Sequence, residues 1–189
     1  VAEKGCPAVF LDRDGTINEE VGYLNHISRL RLLPGVAEAL KLLKNAGFKL
    51  IVITNQSGVA RGYFPLSLVD EVHKEIQKRL RRRGVQIDDF FVCLHSPDEG
   101  CNCRKPKPGL VLEAVKQHGI LLEKSYVIGD KAVDLELAQN LGIKGILVLT
   151  GYGRGELEYV LPRKGIKPYF VAKDLKEAAR FILEDSSSG

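Results

Sequence analysis

No run of apolar residues in this 189-residue chain approaches the roughly 18 needed to cross a bilayer, so a membrane-spanning helix is not expected. The first residues lack a charged segment followed by a long apolar one; no secretory signal is visible, and the chain reads as cytoplasmic. Charge of a single sign is also scarce. With 28 basic and 24 acidic side chains the net charge is +4, mildly suited to an anionic substrate but short of a nucleic-acid binder, so neither nucleic acid nor membrane is an expected partner. Internal repeats and low-complexity linkers are missing, which argues against a solenoid or a string of modules. Cysteines number four, and a cytoplasmic chain of this size keeps its thiols reduced rather than pairing them.

What is present is an ordinary globular composition, 44% hydrophobic and 28% charged, enough for one sizeable core. One domain is expected over residues 1–185, with Ser186–Gly189 as a tail outside it. Short apolar runs at Ala8–Leu11, Leu50–Ile53, Phe90–Leu94, Tyr126–Ile128 and Gly145–Leu149 read as strands, with a weaker sixth at Tyr169–Val171. Amphipathic stretches at about 35–47, 66–83, 108–118, 132–141 and 174–184 alternate with them, and Gly47, Gly84, Gly119 and Gly142 mark helix ends. Strand–helix alternation predicts an α/β fold, a three-layer Rossmann-like parallel sheet with helices on both faces. No apolar helix is left over for a partner copy, so a monomer is expected. Segments 15–34 and 95–107 follow strands and are too long to be passive connections, which marks them as binding loops.

The polar residues gather where such a sheet binds ligands, beyond the carboxyl ends of its strands. Asp12 ends the first strand and Asp14 follows in the turn that Gly15 permits. Two carboxylates at this spacing can serve one nucleophilic attack, one proton transfer and one hard cation. Thr54-Asn55-Gln56-Ser57-Gly58 ends the second strand with a hydroxyl and amides suited to phosphoryl oxygens. Gly129-Asp130-Lys131 ends the fourth, with Asp134 one helical turn on, and Arg104-Lys105-Pro106-Lys107-Pro108 forms a stiff cationic loop. Cys93, His95, Cys101 and Cys103 have the composition of a closed structural Zn²⁺ site, although their one-residue gaps are tighter than finger spacing. On spacing alone, a buried Cys93 with two idle loop thiols stays open.

Taken in order, these motifs resemble the haloacid dehalogenase superfamily, in its form without a separate cap domain. Asp12–Asn18, Thr54–Gly62, Cys103–Gly109 and Val127–Lys131 are similar to the D-glycero-D-manno-heptose-1,7-bisphosphate phosphatases. The resemblance implies a Mg²⁺-dependent phosphatase that removes a sugar phosphate through an aspartyl-phosphate. Asp12 would be the nucleophile, Asp14 the acid and base, and Thr54 and Lys105 the stabilisers of the phosphoryl group. It implies Mg²⁺ on Asp12, Asp14 through its carbonyl, and Asp130, and Zn²⁺ on Cys93, His95, Cys101 and Cys103. Arg13, Glu20, Val21, Gly22, Tyr23, Asn55, Gln56, Ser57, Arg104 and Lys131 would contact a phosphorylated sugar. Lys107 is a rival for the lysine role, which the family pattern assigns to Lys105.

Histidinol-phosphate phosphatases also carry a zinc loop and D-x-D, but their second-strand loop typically has an acidic residue where Ser57 stands. A silent zinc-stapled binding domain is disfavoured by the retention of Asp12, Asp14, Lys105 and Asp130 together. The remaining features read blandly: Lys78–Arg83 as a solvated helix end, Gly151–Gly155 as a flexible loop, and His26, His73 and His118 as surface or helix-face residues.

Overall fold

The computed structural model describes residues 5–188; residues 1–4 of the expected domain and Gly189 of the expected tail lie outside the described residues. Six strands form one parallel sheet: β1 (Ala8–Leu11), β2 (Lys49–Asn55), β3 (Asp89–Cys93), β4 (Tyr126–Gly129), β5 (Lys144–Val148) and β6 (Phe170–Ala172), in the order β3-β2-β1-β4-β5-β6. The connecting helices are α1 (Val36–Asn45), α2 (Leu66–Arg82), α3 (Gly109–His118), α4 (Ala132–Leu141), α5 (Gly153–Gly155), α6 (Leu161–Lys164) and α7 (Leu175–Ser187). Among the described residues no helix is long and apolar enough to cross a membrane.

The alternation of side chains along each strand sets the layers. Val9, Leu11, Leu50, Val52 and Ile128 face one way, onto Leu40 and Leu43 of α1, Val72 and Ile76 of α2, and Ile182 of α7. Ala8, Phe10, Ile51, Ile53 and Val127 face the other way, onto Val111 and Ala114 of α3 and Leu137 of α4. Both faces of the central strands are therefore covered, as the unbroken apolar runs required. A winding that runs 3-2-1 and then 4-5-6 reverses between β1 and β4, and a crevice opens there beyond their carboxyl ends.

Two expectations change. The Gly151–Gly155 stretch is not a flexible loop: it turns directly into α5, a π-helical turn at Glu156–Val160, and α6. Gly151 allows close approach to the crevice, and Gly153 lets the turn pack against the Val148 carbonyl. The last helix also runs past 184 to Ser187, its final turns held by Ser187 and Ser188 hydroxyls donating to the Glu184 carbonyl.

Candidate active site

Asp12 follows β1, its N–H still bonded to the Ile128 carbonyl of β4 at 3.0 Å, so the sheet itself aims its side chain into the crevice. Asp130 follows β4, and Asp134 lies on the first turn of α4; all three carboxylates are buried. Lys105 Nζ is placed among them, 2.8 Å from Asp12 Oδ1, 2.8 Å from Asp134 Oδ1 and 2.9 Å from the Ile53 carbonyl. Lys131 Nζ stands 4.0 Å from Asp12 Oδ2 and 3.6 Å from Glu20 Oε2. Burial alone would push Asp12 up, but the two lysine charges outweigh it and hold its carboxyl down at about 2. Asp130 is driven the other way, to about 9, by burial and then by the Asp12 charge.

Oxygen atoms of Asp12, Asp130 and Asp134 lie within 4.8 Å of one another, a donor set suited to a hard divalent cation. Asp12 Oδ2 and Asp130 Oδ1 are buried without a hydrogen-bond partner, and an unpartnered carboxylate oxygen in a dry site calls for positive charge. Both Asp134 oxygens are engaged, one by Lys105 and the other by the Lys131 N–H at 3.3 Å, so Asp134 holds the lysines in place. Sequence reasoning gave Asp134 no role. Its position three residues after a strand-end lysine, where a carboxylate reaches back to the helix entry, is the signal that could have found it.

Asp130 is enclosed by the segment read as a loop. The Tyr152 N–H donates to Asp130 Oδ2 at 2.9 Å, and Thr150 Oγ1 donates to the Gly15 carbonyl at 2.6 Å, tying the β5 end to the turn after Asp14. Gly15 and Gly151 both have positive φ, and a Cβ on either would collide with the Asp130 carboxylate.

Asp14 lies apart from the acidic group. Its Oδ1 accepts from Arg13 Nη2 at 2.9 Å and Asn18 Nδ2 at 2.9 Å, and its Oδ2 from Arg13 Nη2 at 3.1 Å and Gln56 Nε2 at 2.9 Å. Gln56 Nε2 also donates to Thr54 Oγ1 at 2.9 Å, which joins the β2 end to Asp14. Arg13, expected to face substrate, instead has a buried guanidinium directed at Asp14 and His73. Of the surface and helix-face readings, His73 takes the second: it is buried on α2 and stacked on Phe90 of β3. His118 bonds Asp89 at 2.8 Å, and His26 caps a short 3₁₀ turn through the Ser28 N–H.

The 95–107 loop is pinned from two sides. Asn55 Oδ1 accepts the Lys105 N–H at 3.1 Å, so Asn55 acts on the lysine's backbone; Ser57 follows in the adjoining turn, its carbonyl bonded by the Arg61 N–H. Lys107 turns away to the Cys101 carbonyl at 2.7 Å, so of the two lysines of this loop it is Lys105 that reaches the carboxylates. On the far side, the Cys93, Cys101 and Cys103 sulfurs and His95 Nδ1 lie within 4.8 Å of one another. Cys93 Sγ is 3.5 Å from His95 Nδ1 and 3.6 Å from Cys101 Sγ, and Cys103 Sγ is 3.6 Å from Cys101 Sγ, close to the ~3.5–3.8 Å edges of a tetrahedral zinc shell with bonds of about 2.0–2.3 Å, whereas Cys103 Sγ stands nearer than that to His95 Nδ1, at 3.1 Å, and to Cys93 Sγ, at 2.6 Å. Burial opposes the Cys101 thiolate, but the Arg104 N–H and its neighbours outweigh it and bring the pKa to about 6, while burial and the neighbouring thiols push Cys103 up and burial pushes Cys93 up. These donors fit Zn²⁺.

The other long loop forms the opposite wall. Arg29 holds it by donating to the Val21 and Tyr23 carbonyls at 3.2 and 2.9 Å, while Glu20 Oε1 accepts the Gly22 N–H at 3.0 Å. Exposed Tyr23 packs edge-on against Tyr63, 4.9 Å between centroids. Arg104 presents a buried Nη1 with no protein partner.

A parallel sheet reversing between β1 and β4, with an ionised strand-end aspartate between two lysines, has the architecture of a haloacid dehalogenase-like hydrolase. The profile of the HAD-hydrolase-like family matches residues 102–178. The chain is 44% identical to a D-glycero-beta-D-manno-heptose-1,7-bisphosphate 7-phosphatase of Helicobacter pylori strain J99, over 93% of this chain and 96% of that protein. It is 39% identical to the D-glycero-D-manno-heptose-1,7-bisphosphate 7-phosphatase of Thermosynechococcus vestitus, over 93% and 95% of the two chains. The crystal structure of D,D-heptose 1,7-bisphosphate phosphatase from B. bronchiseptica, complexed with magnesium and phosphate, superposes with a TM-score of 0.87 at 32% identity, covering 95% of this chain and 99% of that one. The chain belongs to this heptose-bisphosphate phosphatase family of haloacid dehalogenase-like hydrolases, and is a phosphoric monoester hydrolase.

Proposed function

We propose that this chain hydrolyses the C7 phosphate of D-glycero-D-manno-heptose 1,7-bisphosphate, in the making of nucleotide-activated heptose. The observation that carries the chemistry is Asp12, ionised in a buried site, with one oxygen hydrogen-bonded by Lys105 and the other without a hydrogen bond. Asp12 attacks phosphorus and the bond to the sugar oxygen breaks, forming an aspartyl-phosphate, while Asp14 gives a proton to the departing oxygen. Asp14 then takes a proton from water as the water oxygen attacks phosphorus. The acyl-phosphate P–O bond breaks, and inorganic phosphate and free Asp12 are released. Thr54 and Lys105 are pre-placed donors for the equatorial phosphoryl oxygens. Mg²⁺ held by Asp12, Asp130 and the Asp14 carbonyl would offset the repulsion between carboxylate and phosphate.

The sugar and its second phosphate meet Arg104, Lys131, the Glu20–Tyr23 loop and the turn at Ser57, while Asn55 and Gln56 brace Lys105 and Asp14. Zn²⁺ on Cys93, His95, Cys101 and Cys103 clamps the loop that presents Arg104 and Lys105. The chain acts as one domain over residues 1–185 and as a monomer, a reading supported by helices whose apolar faces are taken up by the sheet. Its four free cysteines suit the cytoplasm.

The deciding experiment compares substrates. Histidinol phosphate carries an amine and an imidazole, and placing these near Arg104 and Lys131 is unfavourable once they are protonated. We expect kcat/KM for the heptose bisphosphate to exceed that for histidinol phosphate by at least roughly 10²-fold, about 2.7 kcal/mol, with Arg104→Ala narrowing the gap. Comparable rates would remove the heptose reading and leave the phosphatase chemistry standing.

A further inference from the structure

The Arg13 guanidinium is buried to 2% exposure, next to the aspartate that exchanges protons with leaving group and water. Burying such a group is costly unless every neighbour repays it, and two side chains do so. Nε and Nη2 clasp Asp14 at 3.2 and 2.9 Å, and Nη1 lies 3.1 Å from His73 Nε2. A guanidinium can only donate, so His73 Nε2 accepts and its ring proton sits on Nδ1. Burial, followed by the Arg13 charge, depresses the His73 pKa to about 3, which keeps the ring neutral. The ring is stacked on Phe90, centroids 4.3 Å apart and planes 16° from parallel, so β3 fixes its orientation.

We propose that His73 is a positioning residue for Asp14, acting through Arg13. Arg13 and Asp14 are adjacent in the chain, so their clasp by itself refers to nothing outside the turn; Gln56 gives Asp14 one outside bond but gives Arg13 none. His73 lies 60 residues away on α2 and supplies that outside reference. The remaining side chains on Asp14, Asn18 and Gln56, give one bond each, against three from Arg13. The inference rests on the acid–base reading of Asp14 given above.

Leaving-group dependence tests it, because a merely structural defect lowers all rates alike. His73→Phe keeps the stack on Phe90 and removes the acceptor; His73→Gln restores an acceptor at the same reach. Rapid-quench phosphoenzyme formation would be measured with an alkyl phosphate, whose alkoxide needs a proton, and with p-nitrophenyl phosphate, whose phenolate does not. In His73→Phe we expect at least about a tenfold loss on the alkyl ester, little loss on the aryl ester and an unchanged KM, with Gln recovering most of the rate. Arg13→Lys, which keeps the charge and loses the fork, should show the same pattern and carries the test if His73→Phe does not fold. Asp14→Asn is measured alongside. Equal loss on both esters in Asp14→Asn overturns the reading of Asp14 itself. Discrimination in Asp14→Asn without it in the His73 and Arg13 variants, or no recovery with Gln, overturns the role of His73.

Discussion

At the scale of single residues, the site depends on which carboxylates are charged. Asp12 is held ionised by Lys105 and Lys131, and an amide keeps its shape without its nucleophilicity. Asp12→Asn should therefore lower steady-state turnover by at least about 10³-fold with the fold intact, checked by phosphate release and circular dichroism. Substantial residual turnover would take the nucleophile role from Asp12. His73 makes a separate prediction about stability. Its pKa falls from 6.5 to about 3 on folding, so the unfolded chain binds the extra proton between those values. The contribution is complete above pH 6.5 and is lost on acidification toward 3, at up to about 1.4 kcal/mol per pH unit. His73→Phe should flatten that slope in urea titrations between pH 6 and 4; an unchanged slope would refute it. The burial of His73 was legible in part. Val69, His73, Ile76 and Leu80 recur at helical spacing, so this histidine lies on an apolar stripe, whereas its partner Arg13 is hidden in a turn with no periodicity.

At the scale of elements, the 95–107 loop is a strap gathered at one end into the Cys93, His95, Cys101 and Cys103 cluster and fastened at the other by Asn55. Removing one fastening should loosen Lys105 without touching Asp12. We expect Cys101→Ser to lose tightly held zinc by elemental analysis and to lower kcat/KM by about 10–100-fold, with proteolytic nicking within 95–107. Full activity together with a nicked loop would separate the strap from catalysis. Strands and long helices were readable to within a residue or two, save for the last helix, which runs three residues farther to Ser187, because a covered parallel sheet writes itself as alternating apolar runs and amphipathic stretches. The 150–168 stretch was not readable. Its glycines look like loop glycines, and only the three-dimensional proximity of Asp130 shows that Gly151 is there to let backbone reach a carboxylate. Asp134 was singled out but given no role for a related reason: its partner Lys105 comes from another loop.

At the scale of the whole molecule, three buried carboxylates and two lysines meet at the seam between the halves of the sheet. A divalent cation that binds only the folded state should raise stability by about 2.7 kcal/mol at a hundredfold excess over Kd, about 5–10 °C for a chain of this size. We expect Mg²⁺ to produce such a shift in Tm and Asp130→Asn to abolish it while raising the metal-free Tm. A shift that survives in Asp130→Asn would place the cation elsewhere. The strand order also decides which pairings must wait while the chain is being made. β1 leads into Asp12, yet its neighbour β4 and the Tyr152 N–H that holds Asp130 emerge more than a hundred residues after it. During synthesis the central strand waits with one edge open. A message truncated before β4 would yield a sticky half-sheet rather than a weak enzyme, so early termination in this protein burdens the quality-control machinery instead of leaving partial activity behind.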